Sequence, residues 1–147
     1  MSILEASLAI KDQILNDRHN LHRCPEIGFN LPQTAAYVQK RLTEMGIESQ
    51  LCGGPIDKQL RDNFVFAGFP GMEASTGVVA TIGKGEPCIL LRADMDALPM
   101  AETPGLVDFT SEVPGMAHMC GHDTHTAMLL GAAKLLKDRE DELKGTV

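Results

Sequence analysis

The residues most able to do chemistry lie in one run, His118-Met119-Cys120-Gly121-His122-Asp123-Thr124-His125. It packs three of the chain's five histidines, a cysteine and an aspartate into eight residues. A thiolate and an imidazole one glycine apart can reach a single ion, and Gly121 permits the close turn between them. Sulfur with nitrogen favours Zn²⁺ or a similar transition ion over Mg²⁺. Asp123 is placed to receive the free ring N–H of a ligating histidine. Two other readings stay open: a polar loop in which Asp123 caps a helix, and a Cys120 nucleophile activated by His118 or His122.

A second group is Asp94-x-Asp96, directly after the apolar run Cys88-Ile89-Leu90-Leu91. Carboxylates at the carboxyl end of a strand in an α/β sheet stand where ligands bind. Two acids on one strand face repel unless a cation or hydrogen-bond donors lie near. The alternative is a solvated loop. A third group, Arg18 to Glu26, offers His22 and Glu26 as pocket residues or as plain surface.

These groups need elements to hold them. Ile3, Leu4, Leu8, Ile10, Ile14 and Leu15 recur at helical spacing, and the pattern breaks over Arg18 to Phe29. A helix is expected from Pro32, with Ala35, Val38, Leu42 and Met45 on its apolar face and Gly46 as its stop. Strands are expected at Ile47–Leu51, at Val78–Ile82, at Cys88–Leu91 (buried on both faces) and from Gly145. Gly83 to Pro87 reads as a tight turn. The last helix is expected to begin at Asp123 or Thr124, and Asp138 to Glu142 to be its solvated end. Cys52 to Ala74 reads as a long loop with Phe64, Phe66 and Phe69 as anchors, or as a short strand at Asn63–Ala67.

Composition narrows the function. With 147 residues and 44% hydrophobic content, the chain can bury a core. A net charge of −7 with no basic run argues against nucleic acid. No stretch approaches a membrane span, and the first residues lack the build of a signal peptide, so the cytoplasm is the expected compartment. Cysteines 24, 52, 88 and 120 are then expected as thiols, with the first three as ordinary buried residues.

Four stretches together resemble the amidohydrolase branch of the co-catalytic metallopeptidases, which includes aminoacylase-like, hippurate hydrolase and indole-acetyl-amino-acid hydrolase proteins. They are Arg18 to Phe29, Thr76 to Ile82, Leu91-Arg92-Ala93-Asp94-Met95-Asp96-Ala97-Leu98-Pro99, and Val113 to Ala133. The resemblance implies that residues 1–147 form the N-terminal part of an α/β/α catalytic domain, a three-layer sandwich, without the smaller lid or dimerisation domain. Residues 52–74 are then an atypical insertion or loop.

It further implies hydrolysis of amide bonds in N-acyl amino acids or similar small substrates at a dinuclear divalent-metal centre (Zn, Mn, Co or Ni). The family's metal-binding Cys and His map onto Cys120 and His122, and its supporting Asp onto Asp96. Asp94, His118, Asp123, His125 and His22 are expected to support the centre or line the substrate pocket. The family's general base, one of two adjacent Glu residues, follows the strand that starts at Gly145 and has no counterpart here; Glu140 and Glu142 precede that strand. Where the family has His before Pro-Glu, this chain has Cys24. The resemblance therefore implies a truncated or split member, inactive alone, oligomeric or dependent on a complementary C-terminal chain. A non-catalytic metal-binding or interaction module is the alternative.

Overall fold

In the computed structural model, which describes residues 2–66 and 74–147, helix α1 spans Ile3–Ala9. The Ser2 hydroxyl accepts from the Glu5 N–H while the Glu5 carboxylate accepts from the Ser2 N–H, a reciprocal cap. The chain turns at Ile10 and re-enters helix as α2, Lys11–Arg23. The expected break at Arg18 is thus displaced to Cys24. His19, Asn20 and His22 stay helical because tertiary partners satisfy them: Asp17, Leu21 and His22 are all buried. Helix α3 runs Pro32–Glu44, with Thr34, Ala35, Val38 and Leu42 buried, and Gly46 follows at φ +71°. The Glu26 carboxylate accepts from the N–H groups of Gln33 and Thr34, closing the open amino end of α3.

Strand β1, Ser49–Leu51, pairs antiparallel with β2, Val78–Ala80. Between them Lys58–Phe66 forms helix α4, where a loop or a strand was expected. The Lys58 and Asp62 side chains, four residues apart, form an ion pair on it. The anchor roles of Phe64, Phe66 and Phe69, and the remainder of that segment to Glu73, lie outside the described residues and side chains. Strands β3, Gly83–Lys84, and β4, Gly145–Thr146, make a second antiparallel pair. Gly145 is required there: at φ +137°, an added Cβ would come within 2.2 Å of the Pro87 carbonyl oxygen.

Helix α5, His122–Lys137, packs on α2. Gly131 allows the approach, since a Cβ there would come within 2.7 Å of Ile14 Cδ1. Val38 and Leu42 of α3, Ile47, Ile82 and Leu130 of α5 form the core. The helix starts one to two residues earlier than expected, with Gly121 as its cap, so Asp123 lies in the first turn and is buried. The acidic end is ordered rather than merely solvated: Glu140–Glu142 is one 3₁₀ turn, and Glu140 accepts from the Gly83 N–H.

Two expectations fail outright. Cys24, Cys52 and Cys88 are exposed, like Cys120, and all four are free thiols. Cys88–Leu91 is not a doubly buried strand: Leu90 is 85% exposed, and only Cys88 joins a bridge. The apolar pattern is present, but among the described residues β4 meets only its start, at Cys88 and Ile89, and no strand flanks Leu90 and Leu91. Among the described residues, no helix is long and apolar enough to cross a membrane.

A buried ion network ties α2 to α3. Asp17, 1% exposed, accepts from the Tyr37 hydroxyl at 2.7 Å and from Arg41 Nε at 2.7 Å. Burial, and then the Asp17 hydrogen bond, push the Tyr37 phenol up to about 12. The chain has one tyrosine and no tryptophan, so absorbance at 295 nm reads this group alone. The folded chain is expected to ionise near pH 12, and the urea-unfolded chain near the ordinary value of about 10. A pKa raised by folding stabilises fully below the unfolded value and is lost as pH rises through the folded one. Alkaline unfolding should therefore steepen between those two values, and Tyr37→Phe should flatten it. Identical folded and unfolded titrations would show that the phenol is not held by Asp17.

Candidate metal centre

The carboxyl end of the 89–96 segment meets the amino end of α5. Asp94 Oδ1 accepts from His125 Nδ1 at 2.6 Å, and Asp94 Oδ2 lies 3.6 Å from His122 Nε2. The Thr126 hydroxyl donates to the Asp94 carbonyl at 3.0 Å, fixing the segment to the helix. His122 and His125 stack with ring centroids 5.4 Å apart. Their spacing of three residues places both rings on one side of the first turn. Gly121, at φ +84°, turns the chain into that helix without the strain a side chain would add.

The orientation of the His122 ring follows from its neighbours. Its Nδ1 lies 2.9 Å from both the Asp96 carbonyl oxygen and Asp96 Oδ1. Both are acceptors, so Nδ1 is the nitrogen that donates, and Nε2 is left on the Asp94 side of the ring. The hydrogen bond from His125 holds the Asp94 carboxyl below its usual range, more than offsetting the opposing effect of burial. A ring nitrogen and a carboxylate oxygen thus face each other across a gap that a cation could bridge. Asp94, His122 and His125 each offer a donor atom, and these lie within 4.8 Å of one another.

A second tier backs this centre. Asp123, 1% exposed, accepts from His22 Nδ1 at 2.8 Å and from Arg18 Nε at 3.3 Å. His22 Nε2 reaches Glu102 Oε1 at 3.1 Å. Burial pushes the Asp123 carboxyl up, but the His22 hydrogen bond and the Thr124 N–H outweigh it and hold the group below its ordinary value. The Ser111 N–H, and then His22, hold Glu102 low against a smaller opposing effect of burial. Each ring nitrogen of His22 thus faces a carboxylate oxygen. Phe109 closes the outside, stacked on His19 at 4.0 Å and edge-on to His22 at 5.3 Å, with Arg18 over its face at 5.1 Å.

His118 lies beside this network, 5% exposed, and neither ring nitrogen has a partner among the described residues. Burial holds its pKa down. Each orphaned buried nitrogen costs about 1–3 kcal/mol, so the ring is built to meet a further polar or ionic group. The donor set and this orphaned ring fit a divalent cation.

The structure therefore gathers Asp94, Asp96, His122 and His125 at one point, with Asp123, His22 and His118 behind them. Cys120 is exposed, and its thiol is outside the three-donor cluster. Sequence reasoning missed Glu102, Phe109 and Thr126. Glu102 and Phe109 carry no spacing signal, since their histidine partners lie 80 or more residues away; Thr126, one residue beyond His125, is in the same first turns of α5 and could have been found.

Residues 90–147 match the model of peptidase family M20/M25/M40. The chain is 40% identical over 139 residues to IAA-amino acid hydrolase ILR1-like 5 of Arabidopsis thaliana, covering 92% of this chain and 27% of that protein. It is 41% identical over 140 residues to N-acetyl-L-cysteine deacetylase of Bacillus subtilis, covering 94% and 29%. The solved structure of the Bacillus subtilis YXEP protein, described as a dinuclear metal binding peptidase from the M20 family, superposes with a TM-score of 0.73 at 39% identity, covering 95% of this chain and 34% of that one. The α/β fold expected from sequence is thus that of M20 peptidases. The chain spans about a quarter to a third of the length of the relatives it matches.

Proposed function

We propose that the chain, whose residues 90–147 match the model of peptidase family M20/M25/M40, supplies one wall of a metal centre for hydrolysing amide bonds in N-acyl amino acids. The observation that carries this reading is the convergence of Asp94, His122 and His125. Asp94 and the Nε2 of His122 would hold the ion together with His125, and Cys120 is the thiol closest in sequence to join them. A divalent ion bound there would polarise an amide carbonyl and lower the pKa of water.

The chain's own residues set the geometry. Asp96 fixes the orientation of the His122 ring, and Gly121 sets the angle at which α5 presents both rings. His22 and Arg18 pin Asp123, the residue after His122, so the first turn cannot rotate. The carboxylates at the centre, Asp94 and Asp96, are each engaged by a histidine, so neither is left as a general base. The proposal accordingly includes that this chain alone does not turn over. Two relatives are named for IAA-amino acid hydrolysis and N-acetyl-L-cysteine deacetylation, which supports small N-acyl substrates.

A chimera tests the reading. The matching part of the Bacillus deacetylase is replaced by this chain and assayed on N-acetylcysteine with and without chelator. Chelator-sensitive hydrolysis by the chimera, with the isolated chain at the buffer rate, is expected. A folded, metal-loaded chimera without hydrolysis would overturn the assignment, and robust turnover by the isolated chain would overturn the account of the base.

A further inference from the structure

Residues 99–116 contain no helix or strand, and the chain closes them at two levels. At the base, Leu98 and Ala117 exchange both backbone hydrogen bonds, 3.0 and 3.1 Å long. Further in, one side chain does the closing: Glu102 Oε2 accepts from the Ser111 N–H at 2.8 Å. A stretch this long without regular structure is uncommon in a compact chain and tends to mark function. Both of its roots lie at the metal centre. Leu98 comes two residues after Asp96, and Ala117 directly precedes the 118–125 run.

The body of the loop reaches α2. The Glu112 N–H donates to the Arg23 carbonyl at 2.8 Å, and Phe109 stacks on His19. The second oxygen of Glu102, Oε1, lies 3.1 Å from His22 Nε2. The His22 ring is thus held by Glu102 at one nitrogen, by Asp123 at the other and by the T-shaped contact with Phe109. The side chains of His22 and Glu102 are 7% and 14% exposed, so water competes little for their contact. The torsion that turns an imidazole is broad and has no preferred setting of its own sharp enough to hold it. Contacts at both ring nitrogens supply that setting.

We infer that Glu102 is a positioning residue for the metal centre: by spanning Ser111 and His22 with one carboxylate, it fastens the 99–116 loop to α2 and fixes the ring that holds Asp123. Asp123 stands between His122 and His125 in the first turn of α5, so the effect arrives at both rings through that turn. The inference rests on the reading of this centre as metal-binding and extends it to a residue that touches no ligand. Reach, rather than charge, is what the role requires. Glu102→Asp keeps the charge but is one methylene shorter, so it loses one of the two contacts. Glu102→Gln keeps the length: its carbonyl oxygen can accept from Ser111 while its N–H meets a ring nitrogen of His22.

The test uses the full chain and its variants. Zn²⁺ affinity is measured by competition with a chromophoric chelator, and the histidine ring nitrogens of the metal-free chain are followed by ¹⁵N–¹H spectroscopy. Glu102→Asp and Glu102→Ala are expected to weaken Zn²⁺ binding about three- to tenfold, below the ~10–100-fold of a residue bonded to a ligand. Both should also shift the His122 ring signals. Glu102→Gln should keep the parent affinity and leave those signals in place. Val38→Ala, a truncation in the apolar core and outside this network, should lower the melting temperature without either change. Parent-like binding by Glu102→Asp overturns the inference, as does a loss in Glu102→Gln or in Val38→Ala equal to that in Glu102→Asp. If the parent chain takes no Zn²⁺, the metal reading fails and the metal-free ring signals decide alone. Unmoved His122 signals in Glu102→Asp and Glu102→Ala then overturn the positioning role, and displaced ones uphold it.

Discussion

Replacing His122 by alanine is expected to abolish tight Zn²⁺ binding. The ring is the donor whose geometry is most fully determined: Asp96 holds Nδ1 from two sides and leaves Nε2 aimed at Asp94. Loss of an outer hydrogen-bond partner typically costs about 10–100-fold in metal affinity. Asp96→Ala should fall in that range, and His122→Ala should exceed it. Competition against a chromophoric chelator measures both, with circular dichroism confirming the fold. If His122→Ala binds Zn²⁺ like the parent chain, the centre lies elsewhere. The same titration with Co²⁺ reads Cys120, because a thiolate ligand adds a near-ultraviolet band that Cys120→Ser removes.

The largest effect on stability is expected from Asp123→Ala. That carboxylate is 1% exposed and faces His22 and Arg18. Removing one partner of a buried charged set leaves the others uncompensated, at about 3–5 kcal/mol. Glu112→Ala serves as the contrast. Its contact with Arg23 is 4.0 Å long and its side chain 69% exposed, so screening should hold the change within about 0.5 kcal/mol. Urea unfolding of the three proteins decides the matter. Equal midpoints for the two variants would show that the buried network contributes nothing.

What could be read from the sequence divides along physical lines. The helix from Pro32, its stop at Gly46 and the donor-rich run at 118–125 depend on local spacing, and spacing is visible in a string of residues. The Cys88–Leu91 run illustrates the limit: its apolar pattern records a tendency to be covered, but coverage depends on neighbours along the sheet. Helix α4 was missed because a mixed, glycine- and proline-containing context masked the Lys58–Asp62 pairing. Asp94 was singled out for its spacing from Asp96, yet its geometric partners are His122 and His125. Glu102 was invisible because nothing near it in the chain announces its histidine.

The hydrogen bonds behind α5 join residues 80 to 105 positions apart. The donor-rich octet is therefore not a portable cassette. Excised as a peptide, or grafted onto an unrelated helix, it would keep its composition and lose the long-range closures that aim its rings. Each such closure carries an entropy cost that only the surrounding fold offsets.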